Sequence, residues 1–115
     1  MTTNIDLMNI ARRNNIKLDY IFRKDDLYMV PYKNGTNIIL NMASEGDIGT
    51  HWVAMKLYKK YILYFDSFGI IPPQEVIEYA KQHRKNMIVY NDYQVEELDG
   101  INCGQLSLQF LKIAS

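Results

Sequence analysis

Apolar residues along the chain change their spacing several times, and each change marks an expected element. Between residues 7 and 11 they recur at helical spacing, after Thr3 or Asn4, which are both N-cap residue types. This first helix is expected to end near Asn14 and Asn15, because asparagine tolerates the left-handed conformation at a helix C-terminus.

Short strand-like segments follow the first helix. Residues 18–22 and 27–30 are rich in apolar and aromatic types, with a charged turn at 23–26 between them. Asn34-Gly35 is a strong turn signal before a further expected strand at 37–42. Residues 44–49 have loop composition.

The clearest unit is a pair of aromatic-rich runs, His51–Tyr58 and Tyr61–Phe68, which flank Lys59-Lys60. Such runs around a two-residue connection predict an antiparallel hairpin. With Lys59-Lys60 as the turn, paired residue numbers sum to 119, so that Val53 faces Asp66.

The remaining chain predicts a helix from about 74 to 85 after two prolines, a strand at 87–90, a polar loop at 91–102 and a last helix from Cys103. No charged residue occurs from Cys103 to Leu111. A helix that is apolar nearly all round belongs in the centre of a domain. The order of elements predicts an α+β fold, and this last helix is expected at its centre.

Composition narrows the class of protein. The 115 residues, 48% hydrophobic and 23% charged, predict one domain over residues 1–115 with a core of its own. Thirteen basic and thirteen acidic residues balance, so the total charge gives no reason to expect nucleic acid or anionic lipid. The N-terminus has no signal-peptide pattern, and no apolar run approaches membrane-spanning length.

A single cysteine, Cys103, excludes an internal disulfide and a cysteine-based zinc site, and it fits a reducing compartment. Turn and N-cap residue types precede it, which places Cys103 in or next to the first helical turn. Unpaired N–H groups and the positive end of the helix dipole favour a thiolate there. The alternative is that Cys103 is a small buried hydrophobe.

Cysteine chemistry near neutral pH needs an imidazole that a third group holds in one tautomer. His83 lies among charged residues with no evident partner and is interpreted as structural or solvated. In the predicted hairpin, Asp66 lies one diagonal step from His51, roughly 7–8 Å between Cα atoms. The alternatives are a satisfied core histidine and an aspartate that caps the bend at 67–69.

Acyl transfer also needs donors for the developing oxyanion. The amide of Cys103 at a helix N-terminus is one donor. Gln94, Asn102 and Gln105 are candidates for the second, and composition does not choose among them. The acidic residues of the preceding loop, Glu96, Glu97 and Asp99, are interpreted as solvated.

Three motifs occur in the order His, Asp, Cys. They are Gly49-Thr50-His51-Trp52, Tyr64-Phe65-Asp66-Ser67-Phe68-Gly69 and Asn102-Cys103-Gly104. Together they resemble the adenovirus-type maturation proteases (adenain) and the related SUMO-deconjugating proteases, and the resemblance covers nearly the whole chain. It implies a papain-like or adenain-like cysteine protease fold, in which a mixed β-sheet packs around a central helix with the nucleophilic cysteine at its N-terminus.

The resemblance also implies a role for each matching residue. His51 would be the general base, Asp66 would orient it, and Cys103 would be the nucleophile. Gln94 would line the oxyanion hole together with the Cys103 amide. Trp52 would wall a narrow substrate cleft that favours small residues, although it is also a plausible core aromatic.

The chain departs from the adenovirus pattern in three respects. Gln94 lies nine positions before Cys103 (103 − 94), a longer gap than is usual in the family. The sequence ends at Ser115 without the C-terminal extension of the adenovirus enzyme, as a minimal catalytic core would. Because there is no second cysteine and no charge excess, neither a disulfide-linked cofactor nor strong DNA dependence is expected, which leaves room for a non-covalently bound activating peptide.

These observations favour a cysteine endopeptidase that cleaves viral capsid or core precursors at Gly-containing sites during virion maturation. No metal and no membrane partner is expected, and the expected state is a monomer inside the infected cell and the virion. Three other functions use the same residues or fold. They are a SUMO- or ubiquitin-like deconjugating protease, an acetyltransferase-type effector and a non-catalytic binding module.

Overall fold

The computed structural model describes residues 3–43, 51–95 and 103–114. The elements in chain order are α1 (Asn4–Arg13), β1 (Tyr20–Arg23), a 3-10 helix (Lys24–Met29), β2 (Asn37–Asn41), β3 (Trp52–Leu57), β4 (Ile62–Phe65), α2 (Gln74–Gln82), β5 (Ile88–Tyr90) and α3 (Cys103–Ala114). The predicted α+β class is confirmed.

The five strands form one mixed sheet in the order β1-β2-β3-β4-β5. The outer pairs β1–β2 and β4–β5 are parallel, and the inner pairs are antiparallel. In the β3–β4 hairpin, Ala54 faces Phe65 and Leu57 faces Ile62. Both pairs sum to 119, which confirms the predicted register. The Tyr58 N–H donates to the Tyr61 carbonyl (2.9 Å) and closes the turn.

Each face of the sheet has its own apolar core. On one face, alternate residues of the central strands pack against α2 and the 3-10 helix. On the other face, Ile39, Ala54 and Phe65 pack against α1 and α3. The prediction of a mixed sheet packed against a cysteine-bearing helix is confirmed, because Cys103 is the first residue of α3 and lies in this second core.

Helix α1 begins with a capping box. Thr3 accepts a hydrogen bond from the Asp6 N–H, and the Asp6 carboxylate accepts one from the Thr3 N–H. Of the two predicted N-cap residues, Thr3 and Asn4, Thr3 is therefore the N-cap. The helix ends at Asn14 and Asn15, and Asn15 has the expected left-handed conformation (φ 55°).

The prediction of a strand at 27–30 is wrong, because residues 24–29 form the 3-10 helix. This turn buries Leu27, and its charged residues Lys24, Asp25 and Asp26 are partly buried. Lys24 forms an ion pair with Glu75 of α2 (2.6 Å), a contact between distant parts of the chain that no local pattern predicts.

Helix α2 ends at Gln82, three residues before the predicted end. Arg84 adopts a left-handed conformation (φ 59°), and the Lys85 N–H turns back to the Ala80 carbonyl (2.8 Å). This is a helix stop of the type that glycine usually provides, formed here by a residue that the sequence pattern treats as helical.

The helices of the described residues are short. The longest, α3, has 12 residues and is about 18 Å long at 1.5 Å per residue. No helix in the described part of the chain is both long and apolar enough to cross a bilayer.

The packing of α3 predicts a contrast between two of its residues. Leu111 is fully buried, whereas Ile113 is 76% exposed. Leu111→Ala should lower the free energy of unfolding by about 2–5 kcal/mol, because it leaves a cavity in the second core. Ile113→Ala, the matched control, should change it by less than about 0.5 kcal/mol. Urea unfolding followed by circular dichroism measures both, and equal losses would contradict the observed packing of α3.

Candidate active site

Cys103 lies where the start of α3 meets the start of β3. The residue is only 6% exposed. Its Sγ accepts a hydrogen bond from the Trp52 backbone N–H (3.4 Å), and one turn later the Ser107 hydroxyl donates to the Trp52 carbonyl (3.3 Å). The backbone N–H and the backbone carbonyl of Trp52 are thus both hydrogen-bonded to α3. These bonds fix the position of the thiol relative to Trp52, the residue that follows His51.

His51 immediately precedes β3 and lies between an acid and the thiol. Its Nε2 is 2.8 Å from Asp66 Oδ1. Cys103 also interacts with the imidazole, since it is one of the two groups that raise the pKa of His51. The Phe68 ring stacks on the imidazole, with centroids 4.3 Å apart and planes 11° apart. The structure therefore brings His51, Asp66 and Cys103 together, as the hairpin register predicted for the first two.

Asp66 follows β4 and is 1% exposed. Besides His51, its Oδ1 accepts a hydrogen bond from the Phe68 N–H (2.8 Å), while its carbonyl accepts one from the Gly69 N–H (2.8 Å). The alternative interpretation, in which Asp66 caps this bend, is therefore also correct. One carboxylate both shapes the turn and orients the imidazole.

The electrostatics of the site favour a protonated imidazole. Burial alone would lower the pKa of His51, but hydrogen bonds with Asp66 and Cys103, together with the charges of both groups, raise this pKa to about 9. His51 protonation therefore stabilises the folded chain below about pH 6.5, and this contribution is lost as the pH rises through about 9. A histidine held in this state is suited to pair with a thiolate.

The three oxyanion candidates lie in different places. Gln94 is exposed, and its backbone nitrogen lies against Gly69 in the turn that follows Asp66. Gln105 is exposed on α3, where it lines a cavity of about 510 Å³ together with residues of α1. Asn102 lies outside the described residues, as do Glu96, Glu97 and Asp99. The role of Gln94 stays a prediction.

Trp52 is 4% exposed and belongs to the core between the sheet and helices α1 and α3. Its buried indole Nε1 has no hydrogen-bond partner. Trp52 lines a cavity of about 340 Å³ together with Ile21, Phe22 and Asn41. Trp52 is thus a core aromatic, and its role as a cleft wall stays a prediction.

His83 is the C-cap of α2 and packs between two tyrosine rings. Its centroid lies 4.6 Å from that of Tyr79 and 5.3 Å from that of Tyr32. Burial lowers the pKa of His83, and the charge of Lys85 lowers it further. These contacts agree with the interpretation of His83 as a structural residue.

Sequence reasoning missed three residues that support the site. Phe68 was part of a quoted motif, but its stacking on His51 was not foreseen. Ser107 anchors Trp52, and Asn91 forms hydrogen bonds with the backbone of Asp66. For Asn91 the available signal was its place directly after a strand expected to join the sheet.

Two other features of residues 3–43, 51–95 and 103–114 are separate from this site or absent. No cluster of three or more His, Cys, Asp or Glu side chains within these ranges could hold a metal ion. The cavity of about 670 Å³ between α2 and β5 is lined by residues such as Ile77, Ala80 and Ile88, and by none of the three residues of the site.

The fold is similar to crystal structures of the ASFV pS273R protease. One superposes with a TM-score of 0.55 at 18% identity, over 94% of this chain and 53% of the neighbour. The selenomethionine form superposes with a TM-score of 0.50 at 23% identity, over 70% of this chain and 34% of the neighbour. The chain thus spans between about a third and a half of the neighbour's length.

At such identities the likeness shows the fold alone, which is consistent with the predicted papain-like fold and does not single out the adenovirus type. No family model matches the chain, and no curated protein matches it.

The geometry predicts widely separated titrations for the two histidines. In an NMR titration, the imidazole of His51 should have its midpoint near pH 9, and that of His83 below 6.5. Asp66→Asn should lower the His51 midpoint, because the neutral amide stabilises the imidazolium less than the carboxylate does. His83 is the internal reference and should not move. A His51 midpoint near 6.5 in the wild type would contradict the observed pairing.

Proposed function

We propose that this chain acts as a cysteine endopeptidase. The observation that carries the proposal is His51, which bonds to the buried carboxylate of Asp66 and has its pKa raised by both Asp66 and Cys103, the first residue of a helix. This is the arrangement of nucleophile, base and orienting acid that acyl transfer by cysteine requires. The similarity to a solved viral protease supports the same class of reaction.

The residues divide the reaction into two steps. In the first, the imidazolium of His51 holds the proton that it has taken from Cys103, and the thiolate sulfur attacks the carbonyl carbon of the scissile bond. The C–N bond then breaks, and the imidazolium of His51 gives the proton to the leaving amine. In the second step, His51 removes a proton from water, which attacks the thioester and releases the carboxylate product and free Cys103.

The tetrahedral intermediates carry negative charge on the former carbonyl oxygen. The backbone N–H of Cys103 is suited to stabilise this charge because it lies at the N-terminus of α3. Gln94 is the proposed second donor. In support, its segment is in backbone contact with the turn that carries Asp66.

The proposed substrates are viral structural precursors, cut at small-residue, Gly-containing sites during virion maturation. Their cleavage would take place in the infected cell and in the particle, with the chain as a monomer. The viral origin of the neighbouring fold supports this substrate class, as does the motif resemblance. No metal takes part in the proposed steps, and an activating peptide bound without a disulfide is compatible with them.

The test is cleavage of a proteome-derived peptide library, with new termini identified by mass spectrometry. The wild type should cut beside glycine, and Cys103→Ala should not cut. A companion measurement is the iodoacetamide alkylation rate at pH 6, where the wild type should react much faster than His51→Ala. No cleavage together with equal alkylation rates would contradict the enzyme and favour the binding-module alternative. Exclusive reaction with ubiquitin-like Gly-Gly probes would favour the deconjugating alternative.

The oxyanion assignment has its own test in a pair of glutamines. Gln94→Ala should reduce kcat through a loss of about 2–4 kcal/mol of transition-state stabilisation, with little change in alkylation, because alkylation forms no oxyanion. Gln105→Ala is the matched control, since Gln105 faces α1, and it should retain near-normal kcat. The reverse result would assign the second donor to Gln105.

A further inference from the structure

We propose that Asn91 is a positioning residue of the site. In this proposal, which rests on the proposed function, the Asn91 side chain fastens the turn carrying Asp66 to the segment carrying Gln94. It thereby sets the direction in which the Asp66 carboxylate points at His51.

The first observation is the set of hydrogen bonds that the Asn91 amide makes. Its Oδ1 accepts from the Asp66 N–H (3.0 Å), and its Nδ2 donates to the Asp66 carbonyl (2.6 Å) and to the Tyr93 carbonyl (3.1 Å). Both backbone groups of Asp66 are thus bonded to one side chain. The sheet makes this reach short, because Asn91 lies one step beyond the Tyr64–Tyr90 pair of the parallel strands β4 and β5.

The second observation is a backbone contact between the same two segments. The Val95 N–H donates to the Ser67 carbonyl (2.7 Å). Gly69 has φ +72°, and a Cβ there would lie 2.6 Å from the Tyr93 carbonyl carbon and 3.0 Å from the Gln94 nitrogen. The turn at 66–69 and the segment at 93–95 are therefore held together tightly enough that a shift in one moves the other.

The third observation links this contact to the chemistry. Asp66 Oδ1 is shared between His51 Nε2 and the Phe68 N–H, each at 2.8 Å, and Phe68 also stacks on the imidazole. A change in the orientation of the Asp66 backbone would therefore disturb both contacts of the imidazole. Loss of Asn91 would also leave the N–H of the buried Asp66 without its partner.

A purely structural role makes a different prediction from a positioning role. If Asn91 only holds the turn, its loss should have the same effect whether or not residue 66 can pair with His51. If Asn91 acts through Asp66, its loss should have little effect once the carboxylate has been removed. A double-mutant cycle separates the two cases.

The cycle compares wild type, Asn91→Ala, Asp66→Asn and the double variant. Circular dichroism first verifies that each of the four proteins is folded. The readout is the second-order rate of Cys103 alkylation by iodoacetamide at pH 6, which needs no substrate. Asn91→Ala should slow alkylation about 10- to 100-fold in the wild-type background, the size expected for a misplaced catalytic group. In the Asp66→Asn background it should slow the reaction less than about 2-fold.

Asn86→Ala is the matched control, because Asn86 is an exposed asparagine just before β5 and should leave the rate unchanged. Equal losses from Asn91→Ala in both backgrounds, or no loss in either, would overturn the positioning role. A wild type that reacts no faster than His51→Ala would overturn the proposed function, and the positioning role with it.

If Asn91→Ala does not fold, Asn91→Asp takes its place in the alkylation measurement. The ionised aspartate still accepts from the Asp66 N–H but loses both donations. Its added negative charge would by itself stabilise the His51 imidazolium and speed alkylation at pH 6. A slower reaction therefore supports the positioning role, and an equal or faster reaction overturns it.

Discussion

The buried carboxylate of Asp66 is the constraint on which the rest of the site depends. A charge that is 1% exposed is costly unless it is paired and hydrogen-bonded. His51 and the Phe68 N–H offset that cost at the carboxylate, and the Asn91 amide holds the backbone of the same residue. The position of the imidazole, and through it the environment of the thiol, follows from how this carboxylate is held.

The sheet topology brings these partners together from distant parts of the chain. The antiparallel β3–β4 hairpin places His51 opposite the end of β4, and the parallel pairing of β5 with β4 delivers Asn91 to the same end. Helix α3 packs on the face shared with α1 and presents Cys103 to Trp52. Each functional group thus stands at the end of an element that the apolar cores fix.

The sequence predicted those features that depend on neighbours along the chain. The Lys59-Lys60 turn was enough to derive the register and the His51–Asp66 pair, and the uncharged run after Cys103 was enough to place α3 in a core. Two other features, which depend on remote contacts, were not predicted. The 3-10 helix at Leu27 is fastened by an ion pair to α2, and Asn91 acts through a parallel pairing whose partner strand is more than twenty residues away.

The energetics of the pair argue for a functional origin. A buried ion pair is a poor way to gain stability, because apolar residues of similar volume often serve the fold as well or better. The chain instead carries a carboxylate and an imidazole whose pKa is raised to about 9, aligned with a thiol at a helix N-terminus. That alignment is costly for the fold and useful for chemistry, which is why the proposed function rests on the site more than on the fold.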